Sequence, residues 1–384
     1  MPTLIQEING AVAQPLLFND TPPSSQTRLT VIVPARNEAD QLNETLESLR
    51  KQLDGNKLPL NPFLYEVLLL ANNCTDSSFA VAQQYQQRYP EFQLHIAQIH
   101  LPPDKANIGT VRRLLMDEAC RRLTSLGRSD GIIASTDGDT VVDSRWVYNI
   151  MLEMAKGNDA VGGRILTRPD QSSVRLFHLR DVMYRTLVAK AEALFDPCLH
   201  DPWPRHFQHF GASIAVTCHM YEQVGGLPDT PYLEDEAFYR ALLRIDAKVR
   251  KSPHVKVYTS TRLQGRVAVG FSEQLRYWST LNQGNQCQLA EPAGAVITRL
   301  SNRQQLRLCW QKRSQGVHTD SLKRIALELL VDPDWLIEQF KQSRFFGEIW
   351  EMIDEQMKSG QWITQWKPVP ITVAIQDMRN YLVR

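Results

Sequence analysis

Hydrophobic residues along the first third of the chain gather into short runs separated by stretches of helical spacing. Leu29 to Val33, Tyr65 to Leu70 and Gly131 to Thr136 are nearly uninterrupted apolar runs, and a further one lies within Gln93 to Ile99. Such runs have the character of strands buried on both faces of a parallel sheet. Pro34 is expected to stop the first. After Asn37 the residues Leu42, Leu46 and Leu49 share one helical face; a second helix is expected from Phe79 to Tyr89, ended by Pro90, and a third from about Gly109 to Leu123. Strand and helix in alternation predict a parallel α/β sheet, on which ligands bind beyond the carboxyl ends of the strands. Three loops should therefore share one rim: Pro34 to Glu38, Asn72 to Asp76, and Asp137-Gly138-Asp139.

Past Trp146 the alternation loosens. A strand is expected near Ala160, a long helix from about Ser172 to Phe195, a Pro-rich and aromatic loop from Pro197 to Phe210, and strands at Ala212 to Thr217 and Val255 to Tyr258. From about Ser272 onward only helical spacing appears, as in Leu322, Ile325 and Leu329, then Phe345, Ile349 and Ile353. Asp332-Pro333 between them reads as an N-cap followed by Pro at the first helical position. At the other end, Thr21-Pro22-Pro23-Ser24-Ser25 cannot hold a helix, so residues 1–27 are expected to form a loose arm. Trp335, Phe340, Phe345 and Trp350 in the C-terminal helices either pack among themselves, cover the catalytic core or form a homodimer contact.

Composition narrows the class. The chain has 384 residues, of which 43% are hydrophobic and 22% charged, and its 43 Lys+Arg nearly cancel its 42 Asp+Glu. No global field draws in nucleic acid or an anionic bilayer, so a charged ligand must be caught locally. The six cysteines show no C-x-x-C spacing, and no secretory leader or run long enough to cross a bilayer is evident. The reading is a cytoplasmic protein with contact to a membrane surface left open.

Asp137-Gly138-Asp139 is the sharpest chemical feature, because a flexible glycine lets two carboxylates address one hard cation. A solvated turn is the alternative. Glu234-Asp235-Glu236 is a second acidic cluster, which could equally be ordinary acidic residues favouring a helix N-terminus. Tyr258 to Arg266 contains Arg262 and Arg266 among three hydroxyls, able to fork onto phosphate oxygens or simply to lie solvated on a surface. His206 and His209 are read as residues that pack or line a pocket rather than as a metal pair. The arginines after the third strand, Arg112 and Arg113, are as well explained by a solvated helix face as by donor contacts.

Taken in order these segments resemble the family 2 glycosyltransferases of the GT-A fold. Val31-Ile32-Val33-Pro34-Ala35-Arg36-Asn37-Glu38 is similar to that family's opening V-x-V-P-x-x-N-E, Asn72 to Asp76 to its second-strand loop, and Asp137-Gly138-Asp139 to its D-x-D motif. Gly225-Gly226-Leu227 followed by Glu234-Asp235 is similar to its G-G-F and E-D pair. The resemblance covers about residues 28–270 and leaves 271–384 as a helical C-terminal extension. It implies a mainly parallel nucleotide-binding sheet flanked by helices, and transfer of a sugar from a nucleotide-sugar donor to an acceptor hydroxyl. By the same resemblance Pro34, Ala35, Arg36, Glu38, Asn72 and Asp76 would contact the donor, Asp137 and Asp139 would hold ribose and a divalent Mg2+ or Mn2+, and Asp235 would be the general base. Arg262 and Arg266 would clamp the departing phosphates. The family's acid at the start of the second loop is Asn72 here, which leaves the base open, and the Q-x-x-R-W signature of processive synthases is missing.

Two other readings compete. A sugar-phosphate nucleotidylyltransferase needs a glycine-rich loop after the first strand to cradle a triphosphate, and this loop has no glycine. A non-catalytic protein binding a nucleotide-sugar or a partner on the same scaffold would share every motif and show no turnover.

Overall fold

The computed structural model describes residues 6–7, 17–167, 174–259 and 271–383. By its internal contacts the chain falls into two compact units, one of residues 1–169, 208–241 and 248–272, the other of residues 170–207, 242–247 and 273–384.

The first unit is built on a nine-stranded sheet. Its strands are β1 (Gln6–Glu7), β2 (Leu29–Ala35), β3 (Tyr65–Asn72), β4 (Leu94–His100), β5 (Ile132–Ser135), β6 (Val141–Val142), β7 (Ala160–Thr167), β8 (Ile214–Thr217) and β9 (Val249–Thr259), in the order β1-β4-β3-β2-β5-β8-β7-β9-β6. β4, β3, β2 and β5 run parallel, with β1 parallel to β4; β8 is antiparallel to both β5 and β7, and β6 is antiparallel to β9. This is the mainly parallel α/β sheet expected from the sequence.

Every residue of β2 and β3 is buried, which explains their unbroken apolar character. Val31, Val33, Val67 and Leu69 face a core shared with Leu42, Leu46 and Leu49 and with Trp146, Val147 and Ile150. The alternate positions Thr30 and Glu66 meet helix Ile108–Ser125. Pro34 does not stop β2: it pairs with Leu70. β5 pairs with β2 only as far as Ile32, so beyond that point one flank of β2 needs no amide donor and a proline is tolerated.

A buried charge network lies under the sheet. Arg122 donates to both oxygens of Glu66, Nε to Oε1 at 3.0 Å and Nη2 to Oε2 at 2.5 Å, while the Thr30 hydroxyl donates to Oε1 at 2.9 Å and His95 Nε2 stands 3.3 Å from Oε2. The remaining Arg122 Nη1 donates to the carbonyls of Phe18 and Thr21, so residues 17–27, rich in Pro and Ser, are tied to the sheet through this arginine. Burial alone would raise the Glu66 pKa; His95 and Arg122 outweigh it and hold the carboxyl down at about 2.

The second unit is helical apart from the short antiparallel pair β10 (Leu289–Ala290) and β11 (Val369–Pro370), which the sequence did not signal. Leu322, Ile325, Leu329, Leu336, Phe340, Phe346, Ile349 and Ile353 form one core, with Trp310, Trp335 and Trp350 packed against it. Trp335, Phe340 and Trp350 thus take part in this core, and Phe345 is not among its residues. Asp332 caps helix Pro333–Gln342 as its sequence predicts, accepting from the Trp335 amide at 2.7 Å. Helix Arg175–Phe195 belongs to this unit, where Ala191 joins Ala293, Val296, Leu300 and Met378 in a second cluster, and Arg303 and Arg307 both pair with Asp196.

Candidate active site

The register of β2 with its two parallel neighbours, Ala35 beside Ala71 and Ile32 beside Ser135, brings the loops after β2, β3 and β5 to one edge. They are sewn together by short polar side chains. Asn37 and Asn73 adopt positive φ (57° and 47°), a conformation asparagine tolerates better than most residues. The Asn37 side chain accepts from the Thr75 amide at 2.8 Å and donates to the Thr75 hydroxyl at 3.1 Å; Asn73 exchanges two bonds with the Leu101 backbone at 2.9 and 3.0 Å. Gly138 sits where a Cβ would come 3.1 Å from Glu38 Cγ and 3.3 Å from the Pro34 carbonyl. A side chain here would require the first loop to give way slightly.

The residues singled out in the sequence take different places. Asp76 closes the first loop: its Oδ1 accepts from the Ser78 hydroxyl at 2.6 Å and its Oδ2 from the Ala39 amide at 3.1 Å. Burial would raise its pKa, but these bonds lower it. Arg36 is exposed and donates to the Ala106 carbonyl at 2.9 Å, and Pro34 and Ala35 are buried in β2. Glu38 donates its amide to Ser78 Oγ at 2.7 Å. Asn72 is 3% exposed and its Oδ1 has no hydrogen-bond partner, an acceptor left over in a buried position at the end of β3. Cys74 beside it is an ordinary thiol, with burial pushing its pKa up and its Sγ donating to the Ala35 carbonyl at 3.5 Å. Arg262 and Arg266 lie outside the described residues.

Asp137 and Asp235, far apart in sequence, are brought together by Arg112, which the sequence left between a solvated helix face and a donor contact. Arg112, 4% exposed, donates Nη2 to Asp137 Oδ1 at 2.7 Å and Nη1 to Glu234 Oε1. Asp235 is the next residue, and its carboxylate is held by two backbone amides, Gly211 to Oδ2 and Glu236 to Oδ1, both at 2.8 Å. Two close approaches make room for the arginine: a Cβ on Gly109 would fall 2.1 Å from the Thr230 carbonyl, and one on Gly211 2.4 Å from Arg112 Nη1. The missed signal is positional. Arg112, Leu115, Ala119 and Arg122 follow i, i+3, i+7 and i+10 on one stripe of the helix, and all four are buried. A charged residue on an apolar stripe calls for a buried partner.

Among the described residues Arg112 faces Asp137 and Glu234, and Asp139 and Asp235 lie close enough to act on Asp137. Burial raises the pKa of Asp137, with Arg112 opposing and the charges of Asp139 and Asp235 adding to the rise. Burial likewise raises that of Glu234, against Arg112 and with Asp235. Burial works against the Arg112 charge, but Asp137, Glu234 and Asp235 more than compensate and push its pKa up. The site gathers hard carboxylate oxygen atoms, which is the donor chemistry of Mg2+ or Mn2+. Among the described residues no three acidic, His or Cys side chains converge on one point. The residues fit such an ion as a partial set: Asp137 and Asp139 can supply carboxylate oxygens, and a diphosphate would have to supply others.

Beyond this cluster His209 pairs with Glu236 at 2.6 Å and stacks on Tyr239 with ring centroids 3.9 Å apart. The His209 bond, outweighing burial, holds the Glu236 carboxyl down at about 2. Lys105 lies 3.6 Å from Asp229, and Asn107 caps helix Ile108–Ser125 by accepting from the Thr110 amide at 2.9 Å.

Residues 30–200 match the profile of the family described as glycosyl transferase family 2. The chain carries a family 2 glycosyltransferase domain. The match takes in the loops after β2, β3 and β5; Gly225-Gly226 and Glu234-Asp235 lie beyond it. Among solved structures, a mannosyltransferase from Pyrobaculum calidifontis in complex with GDP-Man and Mn2+ is 16% identical, with 95% of this chain and 88% of that one covered and a TM-score of 0.43. TarS of S. aureus in complex with UDP-GlcNAc is 15% identical, with 87% and 92% covered and a TM-score of 0.44. No curated protein matches the chain in a sequence comparison. The glycosyltransferase assignment rests on the family match and not on these distant likenesses. No helix among the described residues is long and apolar enough to cross a membrane.

Proposed function

We propose that this glycosyltransferase moves a sugar from a nucleotide-sugar donor to an acceptor hydroxyl, with a divalent Mg2+ or Mn2+ held by Asp137 and Asp139, in one inverting displacement per acceptor. The observation that carries this reading is the set of carboxylates gathered around Arg112 at the carboxyl edge of the sheet, hard oxygen donors held in one place. When bound, the ion would offset the charge that builds on the departing diphosphate. The loop from Pro34 to Glu38, fixed by Asp76 and Asn37, is the proposed nucleoside wall, with the unpartnered Oδ1 of Asn72 ready to accept an N–H of the base. Arg262 and Arg266 are proposed to grip phosphate oxygens on the strength of the family resemblance alone.

Asp235 is the proposed base. Its two amide bonds fix the carboxylate without consuming it, since each oxygen keeps a second lone pair to receive the acceptor's proton. Glu234, bound to Arg112 and 3% exposed, is sealed off from that role. The missing Q-x-x-R-W motif supports a single transfer per acceptor. Free thiols at all six cysteines support a cytoplasmic setting.

Asp235→Asn tests the reading. Turnover should fall about 10²–10⁴-fold, while thermal stabilisation by a nucleoside diphosphate with Mn2+ stays as in the wild type. A nucleotide-sugar-binding protein without catalysis would stabilise equally in both forms and turn over in neither.

A further inference from the structure

We propose that Arg112 is a built-in counter-cation that makes divalent-ion binding at Asp137 conditional on the donor's diphosphate. The proposal rests on the reading that Asp137 and Asp139 hold the ion, and adds the order in which the site fills and the residue that sets it.

The geometry holds Arg112 against its carboxylates. Helix Ile108–Ser125 packs close to the Thr230 carbonyl at Gly109, the Gly211 backbone lies directly over the guanidinium, and a Cβ at either glycine would fall within 2.4 Å of its neighbour. The Arg112 Nε is buried without an acceptor, so the group is oriented for its two carboxylates and not for full satisfaction of its own hydrogen bonds. One of those carboxylates is Asp137, whose Oδ1 it holds at 2.7 Å; the other is Glu234. A metal dication approaching Asp137 thus meets a positive charge already bonded to it, a buried guanidinium that solvent screens little, and like charges at such range repel.

A diphosphate reverses the balance. It adds negative charge and further oxygen ligands at the same edge, so that guanidinium and dication are both needed to neutralise it. The free protein should then hold Mn2+ weakly and the donor complex should hold it well. Glu234 sets the strength of the effect, because it draws part of the Arg112 charge away from Asp137.

The test is Mn2+ binding to the intact chain, followed by electron paramagnetic resonance of the free ion, first with Mn2+ alone and then with UDP, GDP or ADP. Wild type should bind Mn2+ alone weakly and at least 10-fold more tightly with one of the nucleotides. Arg112→Gln should bind Mn2+ alone at least 10-fold more tightly than wild type, and adding Asp139→Asn should remove that gain. Glu234→Gln, which leaves the whole Arg112 charge on Asp137, should bind Mn2+ alone more weakly, and it decides the matter if Arg112→Gln does not fold. If wild type binds Mn2+ with a nucleotide but the folded variants bind Mn2+ alone as wild type does, the counter-cation role is wrong and the metal reading stands. If no form binds Mn2+ with any of the nucleotides, the metal reading and this proposal fall together.

Discussion

Helix Ile108–Ser125 presents two buried arginines on one stripe, Arg112 near its start and Arg122 near its end, and their surroundings differ in charge balance. Arg122 meets a single carboxylate, Glu66, with Thr30 and His95 completing the shell, and the Glu66 carboxyl is held down at about 2. Arg112 meets two carboxylates with two more close enough to act on them, and the pKa values of Asp137 and Glu234 go up, chiefly through burial. The same residue type on the same helix face thus closes a network around one carboxylate and gathers several carboxylates in the other. The first pins the chain, here residues 17–27 to the sheet. The second concentrates anionic oxygen donors where a cationic ligand can bind.

The largest effect expected from this contrast is at Glu66. Glu66→Gln leaves the Arg122 charge buried without its counter-ion and should cost about 3–5 kcal/mol of unfolding free energy, measured by urea titration. A loss below about 1 kcal/mol would mean that the network does not hold the fold. The pH dependence follows the same sign. A carboxyl lowered from 4.5 to about 2 on folding contributes stability that is complete above pH 4.5 and is lost as pH falls through about 2. The variant should lack that acid-side limb.

At Asp137 the sign reverses. Its raised pKa means that ionisation opposes folding, so its favourable contribution exists below the ordinary carboxylate range and disappears as pH rises through the folded value. Asp137→Asn keeps an oxygen acceptor for Arg112 while removing the strained charge. The free protein should therefore melt slightly higher at neutral pH, by a gain of about 1 kcal/mol or less, since the side chain is 33% exposed and solvent screens it. Stabilisation by Mn2+ with nucleotide should vanish in the same variant. A lower melting temperature would show that Arg112 balances Asp137 fully, and the contrast between the two arginines would fail.

Much of the first unit was legible because its central strands are buried on both faces and so read as unbroken apolar runs; β2, β3 and β5 lie close to where the pattern put them. Pro34 misled because its effect depends on which flank of β2 still has a partner, a tertiary fact. β10 and β11, two residues each, are too short for any period to show. The acidic loops were visible as residue types at strand ends. What joins them was not, since Arg112 looks like one more solvated arginine until its stripe is seen to carry Leu115 and Ala119 inward. Asp76, visible in the sequence as a strand-end acid, also holds the neighbouring loop in place, which its residue type did not reveal.

The central claim is that sugar transfer here depends on a divalent cation at the carboxylate cluster around Arg112. Its most direct test is release of nucleoside diphosphate from a panel of nucleotide-sugars, measured with Mn2+ and again in excess chelator. Release that requires the ion and is lost in Asp139→Asn is the predicted result; release that continues undiminished in chelator would contradict it.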